Sequence, residues 1–155
     1  MALPEFEQRE TLEALDTIAK PAGLHIGSRT VALERLGGLT NRNYKVTLGP
    51  TEESVEVEVY VLRIPSASTA EYIDRDVEQH NATHAAAQGI APRYVGFDTR
   101  TGLSLSRYIT QSRPMTPADF SVHKHSAHYV TQVGQILRRL HASQPGFRGT
   151  LSWAS

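Results

Sequence analysis

The spacing of apolar residues changes several times along the chain, and each spacing predicts a different element. Near the start, apolar residues recur every three or four positions and stop before a proline and a glycine, which predicts a packing helix; they are Leu12, Leu15, Ile18 and Ala19. Three runs with strand character follow, separated by turn-forming residues: RTVALERLGG, NRNYKVTLG and SVEVEVYVLRIP. This order predicts an antiparallel meander.

The third of these runs has a period of two. Valines alternate with glutamate and tyrosine from Val55 to Val61, so successive side chains point to opposite faces of a strand. By the same parity Arg63 lies on the valine side, which we expect to be the buried one. A cation on the buried side of a strand needs an anionic partner or ligand.

A helix is predicted after Pro65. Ser68, with Glu71 three residues later, has the pattern of a capping box, and the helix runs to Gln88 before a glycine. Acidic residues and alanines share one of its faces at helical spacing. If this face packs against the sheet, Glu78 can reach Arg63.

Two more strands, RYVGFD and LSLSRYI, flank the turn TRTG. Thr116 then suits the N-cap of a last helix and Pro117 its first turn, and apolar residues follow at helical spacing: Tyr129, Val133, Ile136, Leu137 and Leu140. The predicted fold class is α+β, a five-stranded antiparallel sheet with one packing helix, an N-terminal helix and a C-terminal helix.

Composition excludes several classes of partner. The 155 residues include 16 Lys plus Arg and 16 Asp plus Glu, so net charge does not draw the chain to nucleic acid or to a membrane surface. Cysteine is absent, which excludes disulfides and thiolate chemistry. The acidic start lacks the features of a secretory signal, and no apolar run is long enough to cross a bilayer. We therefore expect a cytoplasmic protein.

The order of elements, with a cation on the third strand and an acid on the following helix, is that of a kinase amino-terminal lobe. Several ordered segments together resemble the choline and ethanolamine kinase family, especially its bacterial members, within the wider aminoglycoside-phosphotransferase-like group: LGGLTNRNYKV, YVLRIPS, EYIDRDVEQHNA, GIAPRYVGFD, GLSLSRYI and LRRLHAS. The resemblance implies an ATP-binding lobe of protein-kinase-like fold over residues 31–110. Residues 1–30 would form an N-terminal helix and lead-in, and residues 111–155 the exit from the hinge and the first helix of a second lobe.

The resemblance also implies site residues. GGLTNRN matches the loop that covers the nucleotide phosphates, where glycines let the backbone approach and polar side chains donate; its candidates are Gly37, Gly38, Thr40, Asn41 and Asn43. Arg63 would bind the phosphates while Glu78 orients it. The alternatives are an ordinary hairpin turn and a surface ion pair.

The segment after the fifth strand resembles the hinge, whose backbone groups would bond the adenine edge. Its candidates are Ser106, Arg107, Tyr108 and Ile109, and the alternative is plain edge-strand structure. Members of the family continue into a second lobe with an His-Asn-Asp-type catalytic loop and a later aspartate that binds Mg²⁺. This sequence has no such stretch, and its one carboxylate after the hinge, Asp119, is better placed to cap a helix.

Three functions remain open at this stage. The first is the nucleotide-binding part of a phosphotransferase, catalytically silent in isolation, with ATP as cofactor, Mg²⁺ required only by a full-length enzyme, and choline, ethanolamine, a similar hydroxylated amine or an aminoglycoside as acceptor. The second is a nucleotide-binding module without catalysis. The third is an interaction protein that forms a homodimer through the apolar surface that would face a second lobe.

Histidine spacing raises the question of a metal site. His80 and His84 lie one helical turn apart, and His123, His125 and His128 follow within a short stretch. The metalloprotease pattern HExxH is absent, and the resemblance assigns no metal to either group. We therefore interpret the first pair as packing or exposed residues and metal binding by the second group as adventitious.

Overall fold

The chain forms a sheet flanked by helices in a computed structural model that describes residues 3–38, 40–52, 54–66, 73–121, 126–143 and 146–149. Its elements in order are α1 (Glu5–Ala19), β1 (Val31–Leu36), β2 (Asn41–Leu48), β3 (Glu58–Pro65), α2 (Arg75–Ala87), β4 (Tyr94–Phe97), β5 (Ser104–Arg107), α3 (Pro117–Ser121) and α4 (Ser126–Ala142). The strands form one antiparallel sheet in the order β1-β2-β3-β5-β4. The predicted fold class is confirmed.

The hydrophobic core lies between α1 and one face of the sheet, here called the helix face. Leu15 and Ile18 of α1 meet a continuous set of buried strand residues: Tyr44, Val46, Leu48, Tyr60, Leu62 and Leu105. The opposite side, here called the open face, carries the alternate residues of the same strands: Asn43, Lys45, Val61, Arg63 and Ser106. The core therefore lies on the helix face, and Arg63 lies on the open face.

The expectation that the valine side of β3 is the buried one is wrong. Tyr60 and Leu62 fill the core because α1 covers their side of the sheet, and Arg63 lies on the other face. The strand also begins later than predicted, at Glu58, which pairs with the last residue of β2. The described residues between β2 and Glu58 belong to no strand, and Val55 is 91% exposed.

The helix α2 begins at Arg75, later than predicted. Asp74 has an extended backbone and is the N-cap, because its carboxylate accepts hydrogen bonds from the N–H groups of Asp76 and Val77 at 3.1 and 3.0 Å. The predicted capping box at Ser68 and Glu71 lies outside the described residues.

Two helices follow the predicted N-cap at Thr116, where one was predicted. α3 begins at Pro117, as predicted, while α4 is a separate helix whose apolar residues are largely exposed: Val130 by 55%, Ile136 by 38% and Leu137 by 45%. Within the described residues, no helix combines the length and apolar character needed to cross a bilayer.

Candidate functional site

An ion pair on the open face joins the sheet to α2. Nη1 of Arg63 donates to Oε1 of Glu78 at 2.7 Å, which is the contact expected from the sequence. Parity on β3 places the arginine on this face, and Glu78 lies in the first turn of α2. The pair is partly buried, with both side chains less than one-quarter exposed.

The other guanidinium nitrogens of Arg63 differ in their surroundings. Nη2 donates to the carbonyl of Gly102 in the β4–β5 turn at 3.2 Å, and the guanidinium lies 5.7 Å from the centre of the Phe97 ring. Nε is buried and has no hydrogen-bond partner among the described residues. A buried donor without an acceptor is costly, so this nitrogen is suited to an anionic ligand.

Glu78 serves two arginines. Its second oxygen accepts a hydrogen bond from Nη1 of Arg75 at 2.7 Å. Burial raises the pKa of the Glu78 carboxyl, but the hydrogen bonds from Arg63 and Arg75 outweigh this, and the pKa lies below its usual value. Sequence analysis missed Arg75, although its spacing of three residues from Glu78 on a helix was a visible signal.

The candidate phosphate loop connects β1 to β2 and folds closely on itself. A Cβ at Gly38 would lie 2.5 Å from the carbonyl oxygen of Asn41 and 2.8 Å from Nδ2 of Asn43, whereas a Cβ at Gly37 would have no atom of a described residue within 4 Å beyond its chain neighbours. Nδ2 of Asn43 donates to the Gly37 carbonyl at 3.2 Å. Asn43 therefore braces the loop, while the exposed Thr40 is available to a ligand.

A concavity of about 490 Å³ borders the same loop, next to Arg35, Thr40 and Arg42. Both of its guanidiniums are engaged by carboxylates of α1: Arg42 forms a two-point pair with Glu10, and Arg35 donates to the buried Glu7. These arginines belong to the helix face of the sheet. The concavity is thus separate from the Arg63 side.

The hinge candidates use their backbone groups unequally. The N–H of Arg107 bonds the Arg93 carbonyl and that of Tyr108 the Val59 carbonyl, at 2.8 and 3.0 Å. Among the described residues, the N–H of Ile109 has no acceptor, so it is the donor that remains for an adenine edge. The buried Ser106 lies on the open face.

The side chain of Arg107 points away from the open face. It pairs with Glu58 at 3.0 Å and stacks over the Tyr60 ring at 4.7 Å, on the helix face. Sequence analysis missed Lys45, which lies on the open face, 3.3 Å from a Glu34 oxygen, with Nζ 5.2 Å from the centre of the Tyr108 ring. The alternation from Asn41 through Asn43 to Lys45 was the available signal.

The carboxylate of Asp119 is fully engaged. It accepts hydrogen bonds from Arg113 at 2.8 Å and from the Thr116 N–H at 2.7 Å, and these contacts hold the pKa of Asp119 well below its usual range. The predicted capping role is confirmed. A carboxylate with so low a pKa is a poor general base.

The histidines of α2 have protein partners. Nε2 of His80 bonds the carbonyl of Gly146 at 2.7 Å, and Nε2 of His84 bonds that of Ser143 at 3.2 Å. The described residues contain no group of three His, Asp or Glu side chains arranged to hold a metal ion. His123 and His125 lie outside these residues.

The open face fits the phosphates of a nucleotide in two respects. The orphaned Nε of Arg63 is a buried cationic donor, and Gly38 leaves no room for a side chain beside the backbone of Asn41, as a backbone that approaches a phosphate closely would require. Arg63 would meet phosphate oxygens, and the Ile109 N–H would meet a base.

Comparisons with known proteins agree on one family. The profile of the "Phosphotransferase enzyme family" matches residues 32–154. Protein LicA of Haemophilus influenzae is 28% identical over 123 residues, covering 79% of this chain and 33% of that protein. LicA of a second H. influenzae strain is 29% identical over 114 residues, covering 74% of this chain and 39% of that protein.

A solved structure is similar over most of the chain. The crystal structure of a choline/ethanolamine kinase family protein from Mesorhizobium loti superposes with a TM-score of 0.63 and 32% identity, covering 92% of this chain and 42% of that one. The chain thus spans between one-third and about two-fifths of the length of these three relatives.

Proposed function

Because this chain belongs to the phosphotransferase enzyme family, we propose that it is the nucleotide-binding part of an ATP-dependent phosphotransferase acting on a small molecule. Choline or ethanolamine is the favoured acceptor, because a solved relative is described as a choline/ethanolamine kinase family protein. An aminoglycoside is the alternative acceptor. ATP supplies the phosphoryl group that is transferred.

The observation that carries this proposal is the hydrogen bonding of the Arg63 guanidinium. Its ion pair with Glu78 fixes one end of the guanidinium, and its buried Nε lacks an acceptor among the described residues. Phosphoryl transfer depends on positioning and on neutralising phosphate charge. Arg63 would provide both, Glu78 would orient it, and the loop from Gly37 to Asn43 would cover the phosphates.

Titration calorimetry with ATP tests the binding step. We expect Arg63→Ala to weaken ATP binding about ten- to a hundredfold, as the loss of roughly 1.5–3 kcal/mol from a charge-assisted hydrogen bond implies. The ATP affinity of Arg63→Lys should lie between those of the wild type and Arg63→Ala, because lysine keeps the charge but lacks the Nε donor. Arg9→Ala removes the same charge from an exposed position on α1 and should bind ATP like the wild type. Equal affinity of wild type and Arg63→Ala would refute this role.

A second measurement concerns the reaction itself. We expect the 155-residue polypeptide alone to form no ADP in response to choline, ethanolamine or an aminoglycoside, because the engaged Asp119 cannot act as a general base. An acceptor-dependent rate above the ATPase background would contradict this. The same assay on the longest native product containing these residues identifies the acceptor.

A further inference from the structure

A short segment after α4 packs against α2. We call it the strap and define it as Ser143 together with residues 146–149. Besides the two histidine contacts described above, Asn81 pairs with the backbone of Arg148 in both directions. Its Nδ2 donates to the Arg148 carbonyl at 2.9 Å, and its Oδ1 accepts from the Arg148 N–H at 2.8 Å.

The fit between strap and helix is close. The ring of Phe147 meets that of His84 edge to face, with 4.7 Å between centres. A Cβ at Gly146 would lie 2.1 Å from a ring carbon of His84, so a larger residue at this position would displace the histidine ring. A Cβ at Gly149 would come within 3.2 Å of Val77. The strap contacts therefore follow one stripe of α2 from Val77 to His84.

α2 has little hydrophobic anchoring of its own. None of its residues is fully buried, and its sequence contains few large apolar side chains. Hydrophobic burial usually fixes the position of a helix in a protein. Here most of the contacts that fix the helix are polar, and they lie on two adjoining sides of it: the arginines at Glu78 and the strap at His80, Asn81 and His84.

The geometry of a helix links the two sides. At about 100° per residue, His80, His84 and Asn81 lie roughly 200°, 240° and 300° around the axis from Glu78, so the strap contacts α2 on a side that adjoins the one that meets Arg63. We propose that the strap positions α2, and through it holds Glu78 against Arg63. His80 and Asn81 are then positioning residues for the candidate phosphate site. The consequence for nucleotide affinity rests on the proposed function.

The first test observes Arg63 without any nucleotide. The Nε–H signal of Arg63 in a nitrogen-correlated NMR spectrum is assigned by its loss in Arg63→Lys, and its exchange with water reports local opening. We expect Asn81→Ala and His80→Phe to shift this signal and to speed its exchange severalfold. His80→Gln keeps a donor near Gly146 and should resemble the wild type, as should Thr83→Ala at an exposed position of α2.

An unchanged Arg63 signal in Asn81→Ala, accompanied by faster exchange of the α2 backbone amides, would overturn the proposal, because the strap would then act only locally. If Asn81→Ala does not fold, the comparison of His80→Phe with His80→Gln tests the proposal instead. Equal Arg63 signals in these two variants would also overturn the proposal. Circular dichroism confirms that each variant is folded.

The second test separates this proposal from the proposed function. Asn81→Ala should lower ATP affinity severalfold in the wild-type background and have no further effect in Arg63→Ala, because residues that act through one another are not additive. Equal losses in both backgrounds would overturn the strap mechanism. A wild-type chain that binds no ATP would refute the proposed function, while the NMR test would still decide the role of the strap.

Discussion

At the scale of single residues, the central arrangement is one carboxylate shared by two arginines. Glu78 accepts hydrogen bonds from Arg63 and Arg75, each at 2.7 Å. The side chain of Arg75 is only 10% exposed. This arrangement orients Arg63, whose Nε has no acceptor among the described residues.

The lowered pKa of Glu78 predicts a specific dependence of stability on pH. A carboxyl whose folded pKa is below the unfolded one stabilises the fold fully above the unfolded value of about 4.3, and this contribution is lost as pH falls through the folded value. We expect Glu78→Gln to lower the free energy of unfolding by roughly 1–3 kcal/mol at about pH 7, and this difference to shrink as the pH falls below about 4.3.

Urea unfolding of both proteins across this pH range measures the effect. Glu13→Gln is the matched control, because Glu13 is exposed on α1, and it should change stability little at any pH. If the difference in the free energy of unfolding between wild type and Glu78→Gln stays constant from neutral to acidic pH, the charge of Glu78 does not stabilise the fold.

At the scale of elements, the loop between β1 and β2 depends on two adjacent glycines in different ways. Neither glycine has a positive φ, so backbone conformation does not distinguish them. They differ in the room that is available for a side chain. A Cβ at Gly38 would overlap the backbone of Asn41, and one at Gly37 would clash with none of the described residues. We therefore expect Gly38→Ala to displace the loop and to weaken ATP binding by about tenfold, with Gly37→Ala close to the wild type in both stability and affinity.

Calorimetry with ATP and thermal unfolding of the two variants check this prediction. The paired design matters because both substitutions add the same methyl group within one loop. Similar ATP affinities in the two variants would mean that the packing of the loop at Gly38 does not contribute to nucleotide binding.

The comparison of sequence with structure is clearest at this scale. Alternation placed Arg63 correctly relative to Val59 and Val61, and helical spacing brought Glu78 within reach of Arg63, because both are local periodicities. The choice of the buried face failed because it depends on where α1 packs, which no local pattern encodes. The strap was missed for the same reason, since Asn81 and Arg148 meet across 67 positions of sequence.

Over the whole molecule, packing is concentrated on one side. The fully buried apolar residues belong to α1 and the sheet, and α4 contributes none to this core among the described residues. The chain spans less than half of the solved relative. In the proposed enzyme, the open face and the apolar side of α4 would border a second lobe, which would also provide the acceptor site.

The exposed apolar residues of α4, here called the apolar stripe, lead to a last prediction. We expect the 155-residue polypeptide by itself to self-associate. Val130 and Leu137 lie two turns apart on α4 and are 55% and 45% exposed, and contiguous exposed apolar surface favours association. Sedimentation velocity should show a mass that rises with protein concentration, and Leu137→Lys should abolish this rise. Gln135→Lys adds the same charge on another side of α4 and should leave association intact. A wild-type chain that stays monomeric at every concentration would mean that the stripe alone does not drive self-association.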